Sequence, residues 1–116
     1  MRALKLALII PAHLTHPIHA EKIDTTLVSR QILVEGNVGA FTSKDWHVYL
    51  NDEADYIPLP VNVRAEVLIR EAGLHLEETV RGNAVFLGHG CNGNEADAPA
   101  HLLQMAERLF DTALAA

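Results

Sequence analysis

A cysteine two residues after a histidine, on a glycine-rich turn, comes nearest to reaction chemistry in this sequence. Gly88-His89-Gly90-Cys91-Asn92-Gly93 follows an apolar run, and a thiol on a tight turn beside an imidazole can become an activated nucleophile. Such a thiol is normally activated by the start of the helix it leads into, whereas the helix cap here is Asp97, six residues beyond Cys91. The string therefore reads as a turn joining a strand to a helix. His89, Cys91 and Asn92 form the alternative, a small-ligand or nucleotide site or a hydrolytic centre on the loop 88–94. The same glycines spell G-x-G-x-x-G. A dinucleotide site, however, sets a helix directly against the pyrophosphate and needs a later strand bearing an acid, and the segment after Asp97 reads as a helix alone. Loop amides could still hold an anion without that fold.

Other candidate ligands dissolve on spacing. His13, His16 and His19 recur every three residues, which on a helical turn would suit zinc. Pro17 opposes that turn, and in an extended chain His13 and His16 fall on opposite faces. The remaining histidines, His47, His75, His89 and His101, are scattered and read as surface or half-buried imidazoles. Asn92, Asn94 and Asp97, like Asn51, Asp52, Glu53 and Asp55, offer oxygen atoms but lack the calcium-loop register. Glu77 and Glu78 read as a solvated acidic turn. No metal and no cofactor are expected.

The elements that position these residues follow from periodicity. Residues 3–11 read as a strand, apolar on both faces towards its end, and Ile18 to Ile23 as a shorter, more exposed one beside it. Asp24 can cap a helix beginning at Thr25 and Gly36 can end it, with Leu27, Val28, Ile32 and Leu33 facing the sheet. Val38 to Thr42 and Trp46 to Asn51, joined by Ser43-Lys44-Asp45, form a hairpin. Residues 61–72 are an amphipathic helix stopped by Gly73. Val80 to Gly88 is a strand, with Val80, Ala84 and Phe86 on one face and Val85 and Leu87 on the other. Asp97 caps a last helix with Pro99 in its first turn and a stripe of Leu102, Leu103, Ala106, Leu109, Phe110 and Ala113. The expected architecture is α+β, one small domain over residues 1–116. It has a mixed sheet of about five strands and about three helices packed mainly on one face.

The 116 residues, 49% apolar and 21% charged, fit one globular domain and exclude a disordered or collagen-like chain. Nine basic against fifteen acidic residues give a net charge of −6, which repels nucleic acid and anionic lipid. Arg64, Arg70 and Arg81 form no basic stripe. The single cysteine closes no internal disulfide, so a reducing compartment is expected. The apolar run Leu6 to Ile10 is too short for a signal or a membrane span. The expected protein is soluble and cytoplasmic.

The ordered strings Leu8-Ile9-Ile10-Pro11, Ile23-Asp24 with Leu27, Val34-Glu35-Gly36 and Leu50-Asn51-Asp52-Glu53 continue with Leu59-Pro60-Val61-Asn62-Val63-Arg64-Ala65 and Val80-Arg81-Gly82-Asn83-Ala84-Val85-Phe86-Leu87-Gly88. Together they resemble a family of small actinobacterial phage and plasmid proteins, domain of unknown function 3846. The resemblance covers about residues 6–97, with the helix at about 98–114 as an extension. It departs from the family at Glu35-Gly36 followed by Gly39, where a glycine pair and an acidic strand residue are usual. What the resemblance implies is a phage-borne accessory protein acting without catalysis inside a bacterial host, by contact with a host protein or its own copy. Trp46 and Tyr49 on the hairpin are the candidate contact residues, since amphipathic aromatics anchor interfaces. The alternative for Trp46 is core filling beneath a helix.

Overall fold

The computed structural model describes residues 4–53, 58–90 and 94–114. Strands β1 (Leu4–Ile10), β2 (His19–Asp24), β3 (Val38–Thr42), β4 (Trp46–Asn51), β5 (Ala84–His89) and β6 (Glu95–Ala96) alternate with helices α1 (Leu27–Val34), α2 (Val63–Glu71) and α3 (Ala100–Phe110). The strand order is β2-β1-β5-β4-β3, with β6 also on β5. Every pairing is antiparallel, which corrects the expected mixed sheet. The connections β1–β2, β3–β4 and β5–β6, and β4–β5 through α2, each reverse the chain between neighbours, whereas α1 carries the chain from β2 to the opposite edge strand β3.

Alternation along the strands divides the side chains between two cores. Leu8, Ile10, Trp46, Val48, Leu50, Ala84 and Phe86 face α2 and α3, meeting Ala65, Leu68, Ile69, Leu102 and Ala106. Ala7, Ile9, Ile23, Tyr49, Val85 and Leu87 face the other way, where Val34 and Leu33 of α1 pack on them. The helices thus lie mainly on one face. No helix among the described residues is long and apolar enough to cross a membrane.

One buried side chain joins three of these elements. Asn62 is fully buried. Its Oδ1 accepts from the Ala65 amide at 3.0 Å and caps α2, while Nδ2 donates to the Ile10 carbonyl at 2.8 Å and the Gly82 carbonyl at 2.9 Å. The chain on either side of it is bridged to the approach to β5, Val61 opposite Arg81. For that reason β5 begins at Ala84 and not at Val80: residues 80–82 pair with the entry to α2 instead of extending the strand.

Helix ends also differ from expectation. Thr26 caps α1 by accepting from the Ser29 amide, and Asp24 sits one step earlier, accepting from the Thr26 amide. The helix closes on Glu35, whose φ of 62° is left-handed, before Gly36 is reached. The inner stripe of α1 is Arg30, Leu33 and Val34, at i, i+3 and i+4. Because Arg30 takes the central inward position, with its guanidinium 4.6 Å from the Tyr49 ring centroid, Leu27, Val28 and Ile32 turn outward and are exposed. Asp97 does not cap α3, whose N-cap is Pro99 without a side-chain bond. The Asp97 carboxylate instead accepts from the Leu6 amide at 2.8 Å.

Asn62→Ala removes one cap and leaves two buried carbonyls without donors, so it should destabilise the fold by about 3 kcal/mol. Urea unfolding should show a lower midpoint with unchanged m-value, and Asn62→Asp, which keeps the cap oxygen but not the donors, should not rescue it.

Candidate functional site

The turn between β5 and α3 is built by close backbone approach. β6 takes the β1 side of β5 at its C-terminal end, Gly88 opposite Ala96 and His89 opposite Glu95, and the Gly90 amide closes the loop on the Asn94 carbonyl at 2.6 Å. A Cβ on Gly88 would lie 2.3 Å from the Asp97 carbonyl oxygen and one on Gly90 3.0 Å from that of Asn94. Gly88 and Gly90 therefore serve the close packing of β5 against residues 94–97. The pairing of β6 with β5 delivers Glu95 to the face of the sheet that carries α1.

On that face four side chains form a relay. His47 and Tyr49 alternate along β4, His89 ends β5, and Glu95 stands across from it. His47 Nε2 meets Glu95 Oε2 at 2.8 Å, the Tyr49 hydroxyl donates to Glu95 Oε1, and His47 Nδ1 lies 3.2 Å from His89 Nδ1. Side-chain exposures of 7% for His47 and 21% for Glu95 place the middle of the relay away from water. An ionised Glu95 accepts only, so His47 carries its proton on Nε2 and a neutral His47 offers Nδ1 as acceptor. With His47 in that form, His89 donates from Nδ1 and its Nε2 carries the lone pair. Burial, with the Glu95 carboxylate next in effect, pushes the Tyr49 hydroxyl up to about 12, while the Arg30 guanidinium opposes the shift.

Other expected sites are placed as follows. Trp46 is 1% exposed and packs against Phe86, ring centroids 5.8 Å apart, under α2 and α3; it fills core. Tyr49 is on the opposite face, in the relay. His89 belongs to the relay, while Cys91 and Asn92 lie outside the described residues. His13 and His16 stack edge to face in the β1–β2 connection, and His19 points from β2 to the Pro17 carbonyl and Glu21. Arg64 holds that connection by its backbone, Nη2 donating to the carbonyls of Pro11, His13 and His16 at 2.7, 3.0 and 2.8 Å, and burial pulls its pKa down. No group of three or more His, Cys, Asp or Glu among the described residues could hold a metal ion. Asn51 joins α1 to β4, donating to the carbonyls of Val34 and Glu35 at 3.1 Å each. His47, Glu95 and Arg30 went unread as site residues. The available signal was the alternation of His47 with Tyr49 and the Gly-x-x-Gly spacing between His89 and Glu95, which suits a hairpin.

A family model described as a domain of unknown function, DUF3846, matches residues 4–111 and so spans every element from β1 to α3. No curated protein matches the sequence. Among solved structures, the crystal structure of small RNA methyltransferase HEN1 contains a similar fold, with a TM-score of 0.61 over 91% of this chain at 11% identity. The match spans 16% of that chain, and at this identity the likeness is one of fold alone.

Tyr49 holds its proton more tightly folded than unfolded, so its contribution to stability is complete below pH 10 and is lost as pH rises from there towards 12. NMR titration of the Tyr49 ring should show the high midpoint in the wild type and a midpoint nearer the ordinary tyrosine value in Glu95→Gln.

Proposed function

The chain belongs to the DUF3846 family, and we propose that it is a non-enzymatic binding protein, phage-encoded and acting on a host protein in the bacterial cytoplasm, whose contact surface is the α1 side of the sheet. The phage origin and host partner rest on the sequence resemblance alone. The observation that carries the binding reading is the outer face of α1, where Leu27, Val28 and Ile32 are 54%, 64% and 71% exposed. Burying an aliphatic side chain of this size is worth roughly 1.5–3 kcal/mol, enough for a small anchor cluster. On the same side of the sheet the half-buried His89 offers a ring nitrogen to a partner. Cavities lined by residues 74–80 lie away from the relay. The reading requires no cofactor and no nucleic acid, and the net charge of −6 would speed approach to a basic surface.

A second reading, a small-ligand site or hydrolase on the loop 88–94, is favoured by the relay itself. A histidine linked through His47 to a carboxylate is suited to take a ligand's proton.

Capture of a host protein by the immobilised chain should be lost with Val28→Glu plus Ile32→Glu, an affinity loss of about a hundredfold, and reduced about tenfold by His89→Ala. Equal capture by wild type and the α1 variant overturns the binding reading. Concentration-dependent sedimentation of the wild type, abolished by the same pair of substitutions, would assign the surface to a second copy. The ligand reading instead expects hits from an NMR screen of hydroxyl- and amide-bearing molecules to shift His89 and His47 equally in wild type and α1 variant.

A further inference from the structure

The sheet has two outer strands and they are defended differently. β2 carries Glu21, Lys22 and Asp24 along its length, the usual protection of an exposed edge. β3, Val-Gly-Ala-Phe-Thr, has neither charge nor proline, and among the described residues only β4 pairs with it. The Ser43 amide donates to the Trp46 carbonyl and the Asp52 amide to the Asn37 carbonyl. In the register Val38 opposite Asn51 to Thr42 opposite His47, the bonded pairs therefore fall at Asn37, Gly39, Phe41 and Ser43. Antiparallel pairing alternates, so the N–H and C=O groups of Val38, Ala40 and Thr42 point outward.

A groove runs beside this edge. Phe41 faces the same side as Val48 and is 37% exposed. With Leu74 and Leu76 it lines a cavity of about 280 Å³ whose other walls include His75, Glu77 and Glu78. Leu74 and Leu76 pack against the main core, whereas Glu77 and Glu78 are exposed. A strand added to β3 would place every second side chain over the Phe41 side, where the floor is apolar and the rim acidic.

We propose that the outer edge of β3 is a strand-addition site for an extended segment of another protein that carries an apolar side chain flanked by lysine or arginine on the face towards Phe41. The outward groups of Val38, Ala40 and Thr42 give the main-chain bonds, and Glu77 and Glu78 select the basic flanks. A second copy of this chain is the poorer occupant, because pairing β3 with itself brings two acidic rims to the same side of the sheet in a protein of net charge −6. The site is separate from the α1 surface and stands or falls independently of it.

The test adds to the full, ¹⁵N-labelled chain a short capped peptide alternating valine and threonine between terminal lysines, and its glutamate-ended counterpart. The expected result is slowing of exchange at the Val38, Ala40 and Thr42 amides by roughly tenfold or more with the lysine peptide. Binding of the glutamate peptide should be at least about tenfold weaker, and Glu77→Lys with Glu78→Lys should cost the lysine peptide a similar factor. Ala40→Pro, which removes one outward donor, should abolish the slowing. No slowing at these three amides, equal affinity for both peptides, or slowing that rises with protein concentration in the absence of peptide would overturn the proposal, the last by assigning the edge to a second copy.

Discussion

The fold hangs on the amide of Asn62. A buried side chain with two donors and an acceptor all engaged fixes where α2 starts, where β1 ends and how the chain enters β5. Any rearrangement of one element would leave polar backbone groups of the other two unpaired in a dry interior. Asn51 and Asn83 repeat the device at the other face. Asn51 secures the end of α1, and Asn83 accepts from the Ala12 amide while donating to the Leu33 carbonyl. All three belong to the strings that carry the family resemblance, so those strings describe how helices are fastened to a sheet.

The relay depends on that fastening. His47 and Glu95 are brought into contact only because residues 95–98 wedge between the end of β5 and the start of β1, where the Ala98 amide donates to the Leu6 carbonyl and Asp97 accepts from the Leu6 amide. The close approach at Gly88 makes room for the wedge. A polar network in such a place is costly unless every member is satisfied. Tyr49 and His47 supply donors to both oxygens of Glu95, and Arg30 lies over the tyrosine ring, so the burden falls on groups that answer one another.

The bounds of β3 and β4 were legible, because two short runs joined by the polar Ser43-Lys44-Asp45 favour a hairpin. The core faces of β1 and β5 were legible from the alternation along each strand. The inner face of α1 was not: hydrophobicity favours Leu27, Val28 and Ile32, and only the long stem of Arg30 reaching a tyrosine ring explains why the helix turns them out. The relay was invisible for another reason. Its contacts link residues 42, 46 and 48 positions apart, and the alternation of His47 with Tyr49 does not name their cross-strand neighbours until the strand order is known. β6 is two residues long and has too little period to register.

The grip of Arg64 on the connection between β1 and β2 has a consequence for how that segment can change. The guanidinium grasps carbonyl oxygens, which every amino acid possesses, and ignores what projects from the Cα atoms. The grip itself makes no demand on the side chains of residues 13–16, so much of the path of this segment rests on one distant arginine.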